Sequence, residues 1–150
     1  MHVYGTGWGG MALHAASRYG CRVTTTTISQ QQYDLARERI DAAGLADRIT
    51  LLLEDYRDLS GCYDKLVSIE MIEAVGHQYY DTYFRKCGDL LKDYGMMLLQ
   101  AITIADQRYE SARRSVDFIQ RHIFPGSCIP SVTAIADAVA RVTDMRLVDL

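Results

Sequence analysis

Short apolar or valine- and threonine-rich runs alternate along the chain with longer stretches in which apolar residues recur at helical spacing. The short runs predict strands at Val3–Tyr4, Cys21–Ile28, Ile49–Leu53, Lys65–Ile69, Met96–Ile102 and Arg146–Leu150. The longer stretches predict helices at Met11–Tyr19, from Ser29 to about Ala43, at His77–Leu91, at Gln107–His122 and after Ser131. This alternation indicates the α/β class, with a mainly parallel sheet that carries helices on both faces.

Three local signals refine these elements. Ser29 and Gln32 fit a capping box, in which Ser29 caps the helix and the Gln32 side chain reaches back to it. The near-continuous apolar run of Ile49–Leu53 predicts a strand that is buried on both faces of the sheet. Gly95 is expected to end the connection before the fifth strand.

A glycine-rich stretch, Gly5-Thr6-Gly7-Trp8-Gly9-Gly10, joins the first predicted strand to the first helix. Glycine lets the backbone approach a ligand because it has no Cβ, and the helix N-terminus presents free N–H groups there. The spacing fits both the G-x-G-x-G pattern of S-adenosylmethionine (SAM) enzymes and the G-x-G-x-x-G pattern of dinucleotide enzymes. A tight turn that binds no ligand is the third interpretation.

The end of the second predicted strand bears on which cofactor this turn would hold. Dinucleotide sites need Asp or Glu there, ~20 residues beyond the glycines, to bind the ribose hydroxyls. The chain has Thr25-Thr26-Thr27-Ile28-Ser29 instead. The missing acid counts against NAD, although many SAM enzymes also carry an acid at this point.

Composition and charge narrow the class of protein. The 150 residues suffice for one domain with a hydrophobic core. The net charge of −3 gives no reason to expect a nucleic-acid partner, and no apolar run approaches the ~20 residues of a membrane span. The cysteines form no C-x-x-C pair, so no metal site is expected. Reduced thiols and the lack of a signal peptide predict a cytoplasmic protein.

Several segments together carry a resemblance to a known family. They are the glycine turn, Tyr19–Thr24, Thr27–Tyr33, Asp55–Asp58, Val67–Gly76, Gln100–Ile104 and Asp117–Gly126. In combination they resemble the cyclopropane-fatty-acyl-phospholipid synthase family over essentially the whole chain. The resemblance implies a Rossmann-like class I SAM-dependent methyltransferase fold.

The same resemblance implies a reaction and a substrate. The family uses SAM to methylate the cis double bond of a phospholipid acyl chain, and a bound bicarbonate ion then removes a proton as the cyclopropane ring closes. The implied partner is a phospholipid acyl chain at the membrane surface, which would place the protein in the cytoplasm or at the inner membrane surface. Methylation of another lipid or a small molecule is the alternative activity.

The resemblance also assigns residues to SAM. The matching positions are Gly5, Gly7, Trp8 and Gly9 in the turn, Thr27, Ile28 and Gln32 around the end of strand two, and Asp55 and Tyr56 after strand three. Asp55 would accept a hydrogen bond from the adenine amino group. Structural roles are the alternatives for Thr27 as a strand former, for Gln32 as a capping residue and for Asp55 as a turn residue.

Bicarbonate is assigned to residues that follow strands four and five. Glu73 and Gln100 lie there, and because the carboxyl ends of parallel strands open into one crevice, both side chains are expected to converge on the anion. Gln100 stands where other members often carry His, and an amide can position an anion but cannot titrate. Ile102 would contribute its backbone and Thr6 its backbone N–H. A solvated residue at a helix start is the alternative for Glu73.

Two further features have competing interpretations. Cys128 has no His placed by a motif to activate it, which predicts a packed or semi-exposed loop thiol rather than a nucleophile. Arginines interleave with apolar residues in the stretch that contains Arg108, Arg113, Arg114 and Arg121. Such a stretch is typical of a basic amphipathic helix on an anionic membrane surface or of an ordinary solvated face. The family resemblance favours a lid near the lipid groove.

The resembled family has a region before strand one and further strands after the last residues of this chain. The chain is therefore expected to be a single SAM-binding domain truncated at both ends, with an unpaired sheet edge. Three consequences are possible for the chain by itself: it is unstable, it forms a homodimer, or it is an inactive fragment that binds a partner through this edge.

Overall fold

Strands and helices alternate in a computed structural model that describes residues 1–115 and 126–150. The strands are β1 (His2–Tyr4), β2 (Val23–Thr27), β3 (Ile49–Leu53), β4 (Tyr63–Ile69) and β5 (Leu91–Gln100). The helices are α1 (Gly10–Tyr19), α2 (Gln30–Ala42), α3 (Ile72–Val75), α4 (Tyr80–Asp89), α5 (Asp106–Arg114) and α6 (Val132–Val142), and a 3₁₀ turn spans His77–Tyr79.

The described strands form a five-stranded sheet in the order β3-β2-β1-β4-β5. β1 pairs in parallel with β2 and with β4, and β2 pairs in parallel with β3. β5 runs in the same direction beside β4, because Tyr63 N donates to Leu90 O at one end and Glu70 N donates to Gln100 O at the other. The predicted α/β class with a parallel sheet is confirmed.

Burial differs between the central strands and the edge strand β3. All residues of β1 are buried, and β2 is buried except for the half-buried Thr24. Because successive side chains point to opposite faces, both faces of these strands are covered. In β3, Ile49 and Leu51 are buried but Thr50 on the opposite face is exposed. The prediction that this strand is buried on both faces is wrong, because at the sheet edge only one of its faces is covered.

The predicted helix over residues 77–91 ends at Asp89, and β5 begins earlier than predicted. Leu90 O accepts from Tyr63 N, which brings the chain into the sheet at this point. Gly95 lies within β5 rather than before it. A Cβ at Gly95 would lie 2.9 Å from Leu91 Cδ2 and from a backbone oxygen, so the glycine permits a close approach inside the strand.

Two predicted elements near the C-terminus also differ. α5 ends at Arg114 because Ser115 is extended, with φ −106° and ψ 145°, and the rest of the predicted helix, up to residue 122, lies mostly outside the described residues. Residues 146–150 form no strand, and Val148 and Leu150 are exposed. A β-prone sequence needs a neighbouring strand to pair with, and none of the described strands pairs with this segment.

The chain divides into two compact units. The first unit is Met1–Ser68 with Leu90–Leu98, and the second is Ile69–Asp89 with Leu99–Leu150. In the first unit α1 and α2 pack against β2 and β3. In the second unit α4 packs against α6, where Arg141 Nη2 and Nε donate to the Asp81 carboxylate at 2.6 and 3.0 Å. No helix in the described ranges is long and apolar enough to cross a membrane.

Candidate functional site

The turn between β1 and α1 depends on three glycines of the first unit. Gly5, Gly7 and Gly9 have φ values of 70°, 51° and 87°, a region that side chains disfavour. A Cβ on Gly7 would meet no atom within 4 Å, whereas a Cβ on Gly9 would lie 3.3 Å from Ala36 Cβ. α1 has no side-chain cap, so no side chain offsets the partial positive charge at its N-terminus. The turn therefore combines open space at Gly7 with backbone donors.

Thr6 makes its hydrogen bonds inside the first unit. Its N–H donates to Thr26 O at 2.8 Å, which continues the contact with β2 past the last β1–β2 pair. Its hydroxyl lies 2.8 Å from Thr25 Oγ1, and Thr25 donates to Val3 O at 3.0 Å. Since a hydroxyl has one proton, Thr6 is the donor to Thr25. The prediction that the Thr6 N–H contacts an anion is wrong, because β2 already accepts from it.

The junction of β2 and α2 forms only half of the predicted capping box. Ser29 Oγ accepts from Gln32 N at 3.4 Å and caps α2 as predicted. Gln32 does not reach back to Ser29. Its Oε1 accepts from the Thr27 hydroxyl at 2.7 Å, and the Ser29 N–H donates to Thr27 Oγ1 at 3.1 Å. With its carbonyl held by Thr27, Gln32 presents its NH₂ group as a donor.

Two large apolar side chains are exposed near these polar groups in the sequence. Trp8 is 53% exposed and Ile28 is 77% exposed. Arg39 Nη1 of α2 donates to Trp8 O at 2.9 Å and ties the turn to that helix. Both Trp8 and Ile28 therefore present apolar surface to solvent.

Asp55 is held as a turn residue. Arg57 N and Nε donate to its Oδ1 at 2.9 and 2.8 Å, and Arg57 Nη2 donates to Oδ2 at 2.7 Å. The guanidinium hydrogen bonds lower the pKa of the Asp55 carboxyl. An ionised carboxylate has about four acceptor positions, so one position remains on Oδ2. The ring of the adjacent Tyr56 packs edge to face against Tyr4, with 6.0 Å between centroids.

Glu73 in α3 of the second unit has one satisfied and one unsatisfied carboxylate oxygen. Ile102 N donates to Oε1 at 2.6 Å. Oε2 is buried and has no hydrogen-bond partner within residues 1–115 and 126–150. A buried acceptor without a partner typically costs ~1–3 kcal/mol, and more when it is charged. The alternative of a solvated side chain does not fit this burial, and a ligand role for Glu73 stays a prediction.

Gln100 is paired with a different carboxylate. Its Nε2 donates to Glu70 Oε1 at 3.1 Å, and the Glu70 N–H donates to Gln100 O at 2.9 Å. One N–H of the Gln100 amide is therefore bound to Glu70 at the end of β4, and the convergence of Glu73 and Gln100 on one anion stays a prediction. Sequence reasoning missed Glu70, although an acid directly after a parallel strand was a signal for it.

Cys128 is a packed thiol, as predicted. Burial raises the pKa of its thiol, and burial also raises the pKa of Tyr80, whose hydroxyl donates to Cys128 O at 2.8 Å. The Cys128 N–H donates to Glu73 O at 2.8 Å, so this loop supports α3 through backbone contacts. All four cysteines are free.

The arginine-rich stretch is described only in part. Arg113 Nη2 and Arg114 Nη2 lie 2.8 and 3.4 Å from Glu110 Oε2, which offsets part of their charge. Arg121 lies outside the described residues. No group of three or more His, Cys, Asp or Glu in the described ranges could hold a metal ion.

Comparison with known proteins places these features in a family. Residues 2–150 match the family model described as mycolic acid cyclopropane synthetase. The chain is 43% identical over 145 residues to the tuberculostearic acid methyltransferase of Mycobacterium tuberculosis. It is 42% identical over 135 residues to the cyclopropane-fatty-acyl-phospholipid synthase of Escherichia coli. These alignments cover 97% and 89% of this chain but only 34% and 33% of the two relatives.

One solved structure shares the fold of this chain. It is a mycolic acid cyclopropane synthase complexed with SAH and CTAB, which is 26% identical and superimposes with a TM-score of 0.86. The superposition covers 99% of this chain and 56% of that one. The predicted Rossmann-like class I SAM methyltransferase fold is confirmed.

Proposed function

This chain belongs to the mycolic acid cyclopropane synthetase family, and we propose that it acts in SAM-dependent methylene transfer to an unsaturated acyl chain. The proposed product is a cyclopropane ring at the cis double bond of a phospholipid. The observation that carries the proposal is the family match over residues 2–150. Because the acyl chain of a phospholipid lies in a bilayer, the proposed substrate brings the enzyme to a membrane surface.

The first unit supplies a cradle that fits SAM. The open space at Gly7 leaves room for the methionine part, and the uncapped N-terminus of α1 favours its carboxylate. The Gln32 NH₂ group would donate to ribose hydroxyls. Ile28 would cover a face of the adenine ring, and the remaining acceptor position on Asp55 Oδ2 would bind the adenine amino group. Bound SAM would supply an electrophilic methyl group.

Glu73 and Ile102 in the second unit supply a setting that fits bicarbonate. A fully deprotonated anion would be repelled by the Glu73 carboxylate. Bicarbonate carries an O–H, which can donate to the unsatisfied Oε2. The ion would supply a proton acceptor for the reaction. In this proposal Glu73 holds the anion, and the Ile102 N–H holds Glu73 in place.

A second candidate is methylation of a fatty acyl chain without ring closure. It is favoured by the 43% identity to the tuberculostearic acid methyltransferase. Both candidates need SAM and a lipid substrate, and they differ only in the product.

The first experiment tests the cofactor. Isothermal titration calorimetry of this chain with SAM should show binding in the micromolar range, and NAD should give no heat. The absence of an acid after β2 is the reason for excluding NAD. Micromolar NAD binding with no response to SAM would refute the cofactor assignment.

The second experiment identifies the product. A form of the enzyme as long as its relatives is incubated with SAM and vesicles of an unsaturated phospholipid, and the fatty acids are analysed by mass spectrometry. A cyclopropane acid supports the main proposal, and a methyl-branched or methylene acid supports the second. SAM binding without any modified lipid would instead favour another substrate or a non-catalytic binding role.

A homodimer of this chain stays a prediction. It is supported by three apolar side chains of β5, Tyr94, Met96 and Leu98, which are 97%, 56% and 57% exposed. Light scattering coupled to gel filtration measures the state directly, and a monomer at all concentrations would contradict it.

A further inference from the structure

Glu70 has an unusual backbone for a residue with a side chain. It follows β4 directly, and with φ 49° it is the one non-glycine residue of the described chain that has a positive φ. Residues other than Gly, Asn and Asp rarely adopt this conformation. Strained residues of this kind cluster at functional sites, so the outlier calls for a functional explanation.

Two hydrogen bonds join Glu70 to Gln100. The Glu70 N–H donates to Gln100 O at 2.9 Å, and Gln100 Nε2 donates to Glu70 Oε1 at 3.1 Å. Glu70 takes part in none of the ion pairs among residues 1–115 and 126–150. Its described polar contacts are therefore with Gln100 alone, and they lie at the ends of two neighbouring strands.

We propose that Glu70 is a positioning residue that sets which end of the Gln100 amide serves the anion site. This inference rests on the bicarbonate site proposed above, with Gln100 as its predicted second ligand. An exposed amide can swap its oxygen and its NH₂ group by rotation, but a carboxylate can only accept. Glu70 therefore selects the orientation in which Nε2 faces it. One N–H of that group is bound to Glu70, and the second N–H is the donor left for an anion.

The backbone and the carboxylate of Glu70 can be tested separately. Glu70→Gln keeps the shape but can also donate, so the Gln100 amide is free to turn over. Glu70→Gly removes the side chain and suits the positive φ, so it should keep or raise the melting temperature. In both variants, residue 70 no longer fixes which end of the Gln100 amide faces it. Glu38→Gln, an exposed change on α2, is the matched control.

The readout is the Gln100 side-chain NH₂ signal in ¹⁵N NMR spectra of this chain. In the unchanged chain and in Glu38→Gln, the signal should follow the titration of a carboxyl group and should shift when bicarbonate is added. In both Glu70 variants the carboxyl-linked shift should disappear, and half-saturation should need about fivefold more bicarbonate or more. SAM affinity, measured by calorimetry, should change by less than about twofold.

Each outcome bears on a separate claim. If Gln100 signals in Glu70→Gln match those of the unchanged chain, Glu70 does not position the amide and the inference is overturned, whatever happens with SAM. If the signals respond to Glu70 but the unchanged chain never responds to bicarbonate, the anion site itself is refuted, and the inferred role falls with it. If Glu70→Gly alone weakens bicarbonate while Glu70→Gln does not, the backbone rather than the carboxylate matters, which also overturns the inference.

Discussion

In the first unit, side chains near the proposed cofactor cradle bind one another. Thr6 donates to Thr25, Thr27 donates to Gln32, and Asp55 accepts from Arg57. In the second unit, Glu73 Oε2 is buried without a partner among the described residues. The side chains near the proposed cradle thus pair with one another before any ligand arrives, whereas the second unit holds an unsatisfied carboxylate oxygen. The buried ring nitrogens of His2 in β1 also lack a hydrogen-bond partner among the described residues.

This difference indicates two ways of holding a ligand. The first unit offers space and backbone donors. A substitution there would therefore prevent ligand binding mainly by filling that space. The second unit offers a buried carboxylate oxygen whose desolvation cost is offset only when a ligand donates a hydrogen bond to it. The effect of a substitution there therefore depends on the hydrogen-bonding groups of the new side chain rather than on its size. Substitutions should therefore impair binding in the first unit and turnover in the second.

The largest effect is expected when the open space at Gly7 is filled. Gly7→Val should abolish detectable SAM binding, a loss on the order of a hundredfold or more, because its β-branched side chain would occupy the cradle and disfavours φ 51°. Calorimetry measures the loss.

Gly44→Val is the matched control for backbone strain. Gly44 has φ 65°, and a Cβ there also meets no atom within 4 Å, but it lies beyond the end of α2 and away from the turn. The control should lose stability to a similar extent and keep its SAM affinity once folded. Equal loss of SAM affinity in both variants would show that strain, not space, is responsible.

The next effect tests the unsatisfied oxygen of the second unit. Glu73→Gln can keep the contact with the Ile102 N–H but places an NH₂ group where Oε2 accepts. Losing one well-placed catalytic hydrogen bond costs ~2.7–4 kcal/mol, so turnover should fall on the order of a hundredfold. Product formation is measured with and without added bicarbonate, in a form as long as the relatives.

Glu110→Gln is the control, since Glu110 is exposed and contacts Arg113 and Arg114. Its turnover should stay close to that of the unchanged enzyme. If Glu73→Gln turns over normally, or if it weakens SAM binding as much as it slows turnover, Glu73 does not hold the anion.

The two units also differ in how far sequence reasoning reached. In the first unit the glycine turn, the end of β2 and the residues after β3 are short segments with local patterns, and their placement followed from those patterns. Even there, the capping-box pattern predicted the wrong hydrogen-bond acceptor for the Ser29 N–H. The Thr27 hydroxyl rather than the Gln32 side chain accepts from the Ser29 N–H, because Thr27 at the end of β2 lies within reach of both residues.

In the second unit the partners are distant in sequence. Glu73 meets Ile102, and Gln100 meets Glu70, a residue that no motif singled out. The sequence predicted which strand ends carry polar groups, but which atoms meet depends on the register of β4 and β5. That register depends on where β5 begins. Hydrophobic patterning placed Leu90 in the preceding helix and Gly95 in the connection, whereas the chain joins the sheet at Leu90 and Gly95 lies within β5.

A smaller effect is expected at the Thr27–Gln32 contact. Gln32→Ala removes the proposed ribose donor and should weaken SAM binding about three- to tenfold, in line with the ~0.5–1.5 kcal/mol of one hydrogen bond. Gln31→Ala, an exposed neighbour in the same helical turn, should leave the affinity unchanged. A normal SAM affinity in Gln32→Ala would assign Gln32 to local structure alone.

The smallest effect is expected at Cys128, a buried thiol of the second unit. Burial raises the pKa of this thiol, so it stays neutral and weakly nucleophilic at neutral pH. Cys128→Ser should change turnover per folded molecule by less than about threefold, since groups outside the reacting atoms add little transition-state stabilisation. Cys128→Ala checks whether the buried hydroxyl of the serine variant causes any loss of turnover.

A labelling experiment tests the burial of the thiol itself. Iodoacetamide should modify the exposed Cys62 well before Cys128. A hundredfold loss of turnover in both folded variants would show that Cys128 takes part in the reaction. Glu73 would then not be the only group of the second unit on which turnover depends.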